Sequence, residues 1–139
     1  MPADLSELST QVRLTCQRIS RRVRFEGTHE VAPHQFSVMA RLADGDQTPT
    51  QLAEIERVST PSITRTLNCL QDSGIITRTP HPTDGRQVMV SLTDEGRAIV
   101  LRTRQRRDSW MAERLATLDD DRLDIVRQAI EILAEVASK

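Results

Sequence analysis

Two arginines stand in settings where their chemistry can be used. Arg86 ends the turn-rich segment Pro80-His81-Pro82-Thr83-Asp84-Gly85-Arg86, and Arg65 lies inside Thr60-Pro61-Ser62-Ile63-Thr64-Arg65-Thr66-Leu67-Asn68. A guanidinium is a planar fork of donors that grips a phosphate or a guanine edge through two parallel hydrogen bonds. On a helical wheel of about 100° per residue, Ile63, Leu67 and Leu70 fall on one side. Pro61, Thr64, Arg65 and Asn68 fall on the other, with Ser62 on the flank. Ser62, Thr64 and Asn68 are short polar groups suited to base edges or backbone oxygens. The competing reading of this face is a solvated helix surface.

The charge distribution favours the first reading. The chain has 139 residues and a formal net charge of -1. Residues 57–107 nevertheless hold nine Arg against four acidic residues, a balance of +5. Residues 108–139 hold four basic against eight acidic residues, and residues 27–56 one against five. A basic middle between acidic flanks is the electrostatic footprint of a nucleic-acid-binding segment. All but one of the 19 basic residues are Arg.

The elements that must position these arginines follow from periodicity. Leu5, Leu8, Val12, Cys16, Ile19 and Val23 recur in steps of three and four, a helical stripe over about residues 4–26 with Gly27 as its stop. Pro33 opens a short helix, PHQFSVMARLAD, with Phe36, Met39, Ala40, Leu42 and Ala43 inward. Thr48, Pro49 and Gln51 spell a capping box for a third helix. Thr60 is expected to cap the fourth, Pro61 to start it and Gly74 to stop it. Two short helices separated by Arg57-Val58-Ser59 make a helix-turn-helix pattern. IITRT and QVMVSL alternate and are β-branched, so they read as a hairpin in which Val88, Val90 and Leu92 anchor the returning strand. Gly85 permits the tight turn at its tip. Thr93 caps a long helix from about residue 94, and Asp119 caps a last one. That last helix carries Leu123, Val126, Ile130, Leu133 and Ala137 on one face, widened by Ile125, Ile132 and Val136. Such a face is too broad for a lone surface helix.

The expected fold is therefore mainly α with a small β-hairpin. It is one domain over residues 1–139: a winged helix-turn-helix lobe at 33–92, and terminal helices at 4–26 and 94–138 that interlock in a homodimer. No apolar run approaches the ~18 residues of a membrane helix. The N-terminus has neither the basic nor the apolar region of a signal peptide, so the default location is the cytoplasm. Cys16 and Cys69 make no disulfide framework. No nucleophile elbow, phosphate loop or zincin motif suggests an enzyme, and no cofactor is implied.

Asp84-x-Arg86, five residues, then Leu92-Thr93-x-x-Gly96 resembles the wing signature of MarR-type transcriptional regulators, and the resemblance spans nearly the whole chain. It implies that Arg86 enters a minor groove, where narrow A·T-rich segments attract Arg, and that Asp84 holds it by a charge-assisted hydrogen bond. Alternatively, that pair is an exposed ion pair worth at most ~1 kcal/mol. The resemblance implies double-stranded DNA as partner, with Ser62, Thr64, Arg65 and Asn68 reading it beside Pro61. Thr48 and Thr60 bring helix N-termini to phosphate, and Arg57 and Arg78 are further phosphate candidates. Two recognition helices about a two-fold axis imply a pseudo-palindromic site with half-sites about 10 bp apart. Ala32 stands where many relatives cap the second helix with Thr or Ser, and the tyrosines that support a peroxide-sensing cysteine are absent.

Relatives often bind small aromatic or phenolic effectors between the dimer and DNA lobes, for which Arg22, Phe36, Met39 and Trp110 are candidates. Each also has a plainer reading, Phe36 and Met39 as core and Trp110 as packing. A redox role for the cysteines is an alternative, although Cys16 on the apolar stripe reads as a buried, inert thiol. His29, His34 and His81 lack a metal-ligand spacing, so no metal is expected. A winged-helix protein–protein module without DNA binding is the alternative from another class.

Overall fold

The structure, a computed structural model, describes residues 3–27 and 29–139. The order is α1 (Ala3–Arg24), α2 (Pro33–Asp44), α3 (Pro49–Glu56), α4 (Thr60–Asp72), β1 (Ile76–Pro80), β2 (Val88–Leu92), α5 (Asp94–Leu115) and α6 (Asp120–Ser138).

The short helices start where side chains satisfy their free N–H groups. At α3 the capping box is complete: Gln51 N–H donates to Thr48 Oγ1 at 3.2 Å, and Thr48 N–H donates to Gln51 Oε1 at 2.8 Å. At α2 Ala32 has no capping oxygen, yet Gln35 Oε1 accepts the Ala32 N–H at 2.9 Å, which supplies half of a box. At α4 the cap is Ser59, not Thr60: Ser59 Oγ accepts the Ser62 N–H at 3.2 Å. The first helical bond, Ile63 N–H to Ser59 O, closes the turn one residue earlier than the expected start. Between α3 and α4, Arg57 adopts φ 54°, the left-handed conformation that ends α3 without glycine.

Gly74 ends α4 as expected, with φ 74°. Its N–H reaches Gln71 O at 3.0 Å and the next N–H, of Ile75, reaches Leu70 O at 2.9 Å. This pair of bonds is a Schellman motif, and it delivers Ile75 straight into the core.

The core lies where α2, α3 and α4 meet the hairpin and the first half of α5. Met39, Leu42, Leu52, Ile63, Leu67, Leu70, Ile76 and Val90 are its fully buried large side chains. Each contributes about 1.5–3 kcal/mol of hydrophobic stabilisation. β1 and β2 pair antiparallel with Ile76 opposite Leu92 and Arg78 opposite Val90. Val90 and Leu92 are buried, but Val88 is exposed, because the hairpin has left the body by then. The expected three-point anchor is thus two points. A third short edge, unmarked by any periodicity, is supplied by Gln47: its N–H and C=O both bond to Val90, at 3.2 and 2.8 Å.

The step from β2 to α5 is built by Thr93 and Gly96. Thr93 Oγ1 accepts the Gly96 N–H at 3.1 Å and lies 2.7 Å from Gly74 O, to which it donates. A Cβ added to Gly96 would sit 2.4 Å from the Ile75 carbonyl oxygen. Only glycine lets α5 approach the start of β1 this closely.

The terminal helices are different. α6 buries none of its residues in this chain, and Ile132 is 62% exposed. On α1, Leu5, Leu8 and Ile19 are exposed too. Cys16 is exposed, which corrects the expectation of a buried thiol: the stripe exists, but its own chain does not cover it.

Candidate nucleic-acid interface

α4 turns Ile63, Leu67 and Leu70 into the core and leaves Thr60, Pro61, Thr64, Arg65 and Asn68 exposed, with Ser62 half-buried. The apolar positions dictate this, since burying them forces the opposite face outward. Thr64 bonds its hydroxyl to Thr60 O at 2.9 Å. Thr48 is placed differently: it is buried, and its hydroxyl is engaged in the capping box of α3. Arg57, in the turn before α4, is exposed.

Arg78 joins the hairpin to this helix. Its Nη2 donates to Asn68 Oδ1 at 3.0 Å, and its Nη1 donates to Gln71 Oε1. The bonds hold β1 against the outer edge of α4 and orient the Asn68 amide. Sequence alone marks Arg78 as a phosphate candidate and gives no sign of this second task, because the partners are seven and ten residues away.

At the hairpin tip, Asp84 Oδ1 accepts the Arg86 N–H at 3.1 Å and the Arg86 Nε at 3.4 Å. Asp84 Oδ2 lies 3.4 Å from Gln87 Nε2. The Arg86 side chain is 93% exposed, so its guanidinium extends outward from a braced base. Beneath it, His81 Nδ1 accepts the N–H groups of Thr83 and Asp84, each at 3.1 Å. That role of His81 was not legible as a site in the sequence.

The inter-lobe candidates separate. Met39 is fully buried in the core, and Arg22 is exposed on α1. Trp110 is covered on one face by Arg114, whose Cζ is 3.7 Å from the ring centroid. It borders an open groove of about 540 Å³ together with Glu26 and Arg102. Of the four, Phe36 borders the space between α1, α2 and α5, where a cavity of about 410 Å³ is also lined by Arg24, Arg41, Asp44, Arg104 and Arg107, with Arg41 paired to Glu56 at 3.4 Å. Arg107, missed in the sequence, lies with Cζ 4.4 Å from the Phe36 centroid, a cation–π contact. Its Nε is buried without a hydrogen-bond partner among the described residues. Burial, and then the neighbouring Arg24 charge, hold the Arg107 pKa below the ordinary arginine value. Nearby, Arg102 is paired with Glu30 at 2.8 Å, and that hydrogen bond chiefly raises its pKa.

Cys69, like Cys16, is exposed, and it shares a shallow groove with His34, Ser62 and Arg65. Among the described residues no three His, Cys, Asp or Glu side chains cluster as a metal site. None of the described helices is long and apolar enough to cross a membrane.

A helix-turn-helix with a polar outer face, followed by a hairpin tipped with an arginine, defines a winged helix-turn-helix protein. The model of the MarR family matches residues 31–88. An HTH-type transcriptional regulator of Mycobacterium leprae is 40% identical over 133 residues, covering 94% of this chain and 93% of its own length. One of Mycobacterium bovis is 42% identical over 130 residues, covering 92% and 91%. The crystal structure of a transcriptional regulator protein from Pseudomonas aeruginosa superposes with a TM-score of 0.85 at 26% identity, over 99% of each chain. Wild-type MarR of Escherichia coli in its apo form, at 23% identity, shares the fold with a TM-score of 0.73, over 96% of this chain and 97% of its own. The chain belongs to the MarR family and is a transcriptional regulator of the helix-turn-helix type.

Proposed function

We propose that the protein acts as a homodimer that binds a pseudo-palindromic double-stranded DNA operator and represses transcription, with a small anionic aromatic molecule as its effector. The observation that carries the DNA reading is the Arg78 bridge. It makes one continuous surface of the outer face of α4 and the hairpin, with Arg65 and Arg86 both free to reach out. In this reading α4 enters the major groove, where Arg65 meets a guanine edge or phosphate, and Arg86 enters the adjacent minor groove. Pro61, Ser62 and Thr64 approach bases or backbone, and Arg57 approaches phosphate.

The dimer reading rests on α1 and α6, whose apolar stripes their own chain leaves exposed or only half-buried. A second copy would cover both, and the two-fold axis would place recognition helices about 10 bp apart. The effector reading rests on Phe36 and on Arg24 and Arg107 in the cavity wall, which Asp44 and the Glu56-paired Arg41 also line. An aromatic ring fits against Phe36 and Pro33, and a carboxylate would answer the charges of Arg24 and Arg107. Because this cavity lies between the terminal helices and the DNA lobe, occupancy would bias their angle and so the spacing of the two recognition helices.

The experiment is titration of the purified protein onto DNA from upstream of its own gene at several salt concentrations. A steep fall of log affinity with log salt, together with competition by unlabelled specific DNA, is the expected result. A flat salt profile would point instead to a protein–protein module. Derepression of the adjacent promoter on deletion of the gene is the expected sign of a repressor.

A further inference from the structure

We propose that His81 is a positioning residue for the wing, and that its unprotonated Nδ1 makes DNA binding sensitive to acid. This rests on the reading of the wing as a DNA contact. Nδ1 accepts the backbone N–H groups of Thr83 and Asp84 at 3.1 Å each, with Thr83 Oγ1 at 3.3 Å. A nitrogen that accepts must carry its lone pair, so the ring proton is on Nε2. The backbone of the same residue is also tied, with His81 N–H donating to Gln87 O at 3.1 Å. Asp84, whose N–H is fixed by this ring, then braces Arg86 through Oδ1. The path from His81 to the Arg86 guanidinium is therefore two hydrogen-bonded steps long.

An Asn or Asp side chain makes the same local pattern when it initiates a turn, its δ oxygen accepting backbone N–H groups two and three residues on. His81 does this with a nitrogen that can be protonated, and protonation turns the acceptor into a donor. Two backbone N–H groups would then face an N–H, and the turn could not keep its form. The charged side chains beside the ring in the loop are Asp84 and Arg86. β2 contributes none over Val88–Leu92, and Arg78 of β1 is engaged with α4. A protonated ring would also compete with Arg86 for the Asp84 carboxylate. Both effects release Arg86 as pH falls.

The test uses the full-length protein, H81N and H81L. H81N restores an acceptor at the δ position that stays an acceptor at all pH, and H81L has none. Between neutral and acid pH the wild type should lose operator affinity relative to H81N, by a factor no larger than that of losing the Arg86 groove contact. H81L should be weak throughout. The ratio to H81N removes the general gain from protonating His29 and His34, which both proteins share. Independently of DNA, the amide resonances of Thr83 and Asp84 should shift between neutral and acid pH in the wild type and stay still in H81N. Parallel affinity profiles for wild type and H81N, or H81N as weak as H81L, would overturn the proposal. So would Thr83 and Asp84 amides that ignore pH. If none of the proteins binds DNA but those amides titrate as expected, the DNA reading fails while the role of His81 in positioning the wing stands.

Discussion

Asp84 holds Arg86 twice, taking its backbone N–H at 3.1 Å and its Nε at 3.4 Å on the same carboxylate oxygen. The first bond shapes the turn, and the second aims the side chain. As a surface ion pair alone this would be worth at most ~1 kcal/mol. Its use is to order a long, exposed side chain before it meets a ligand, which lowers the entropy lost on binding. Arg86→Ala should weaken operator binding by about 1–3 kcal/mol and reduce the salt slope, read by fluorescence anisotropy. Asp84→Ala, which leaves the charge of Arg86 in place, should weaken binding less and leave the salt slope unchanged.

Arg65 differs in kind from Arg86 because it projects from the middle of α4. Arg65→Ala should cost about 1–3 kcal/mol on the operator and relax sequence preference at one position of each half-site. Selection from a randomised half-site library measures this. Equal selectivity in wild type and variant would place Arg65 on phosphate instead.

Gly96→Ala should destabilise the fold rather than the interface. Its Cβ would meet the Ile75 carbonyl oxygen at 2.4 Å, and neither backbone can move far without breaking the Thr93 bonds. A loss of about 2–4 kcal/mol is expected. That is a fall in Tm of roughly 6–16 °C for a domain of this size, measured by calorimetry at fixed protein concentration.

The apolar face of α6 predicts association. Ile132→Glu places a charge where a second copy would bury the isoleucine, at 62% exposure in the lone chain. Sedimentation should show a dimer for the wild type and a monomer for the variant, with operator affinity lost in parallel. A variant that stays dimeric would move the interface away from α6.

Arg107→Met separates stability from ligand binding. Methionine keeps the contact with Phe36, gives up a cation–π interaction of about 0.5–1 kcal/mol, and removes the need to bury an unpaired N–H. Tm should hold or rise. Binding of hydroxybenzoate-type carboxylates, measured by calorimetry, should fall at least tenfold if their charge is answered there.

Much of the architecture is local in origin and so was legible in the chain. Helix starts are written as a capping Thr, Ser or Asp at α3, α4, α5 and α6 and as Pro in the first turn of α2, α3 and α4, and Gly74 with Asp84-Gly85 marks a stop and a turn. The stripe of Ile63, Leu67 and Leu70 sets which way Arg65 points before any tertiary contact forms. Each of these depends on residues within one or two helical turns. Errors of this kind stayed small, as in the cap of α4, where adjacent Ser59 and Thr60 are chemically equivalent and only backbone geometry selects one.

What the tertiary structure decided depends on residues far apart in sequence. Arg78 became a strut to Asn68 and Gln71 because antiparallel pairing brings the hairpin back along α4. Gln47 became a sheet edge because Val90 lies beside it, and Phe36 met Arg107 because α5 crosses α2. Cys16 shows the limit most plainly. Its position on an apolar stripe foretold a face that needs cover, but periodicity says only which side of a helix is apolar, not which molecule covers it.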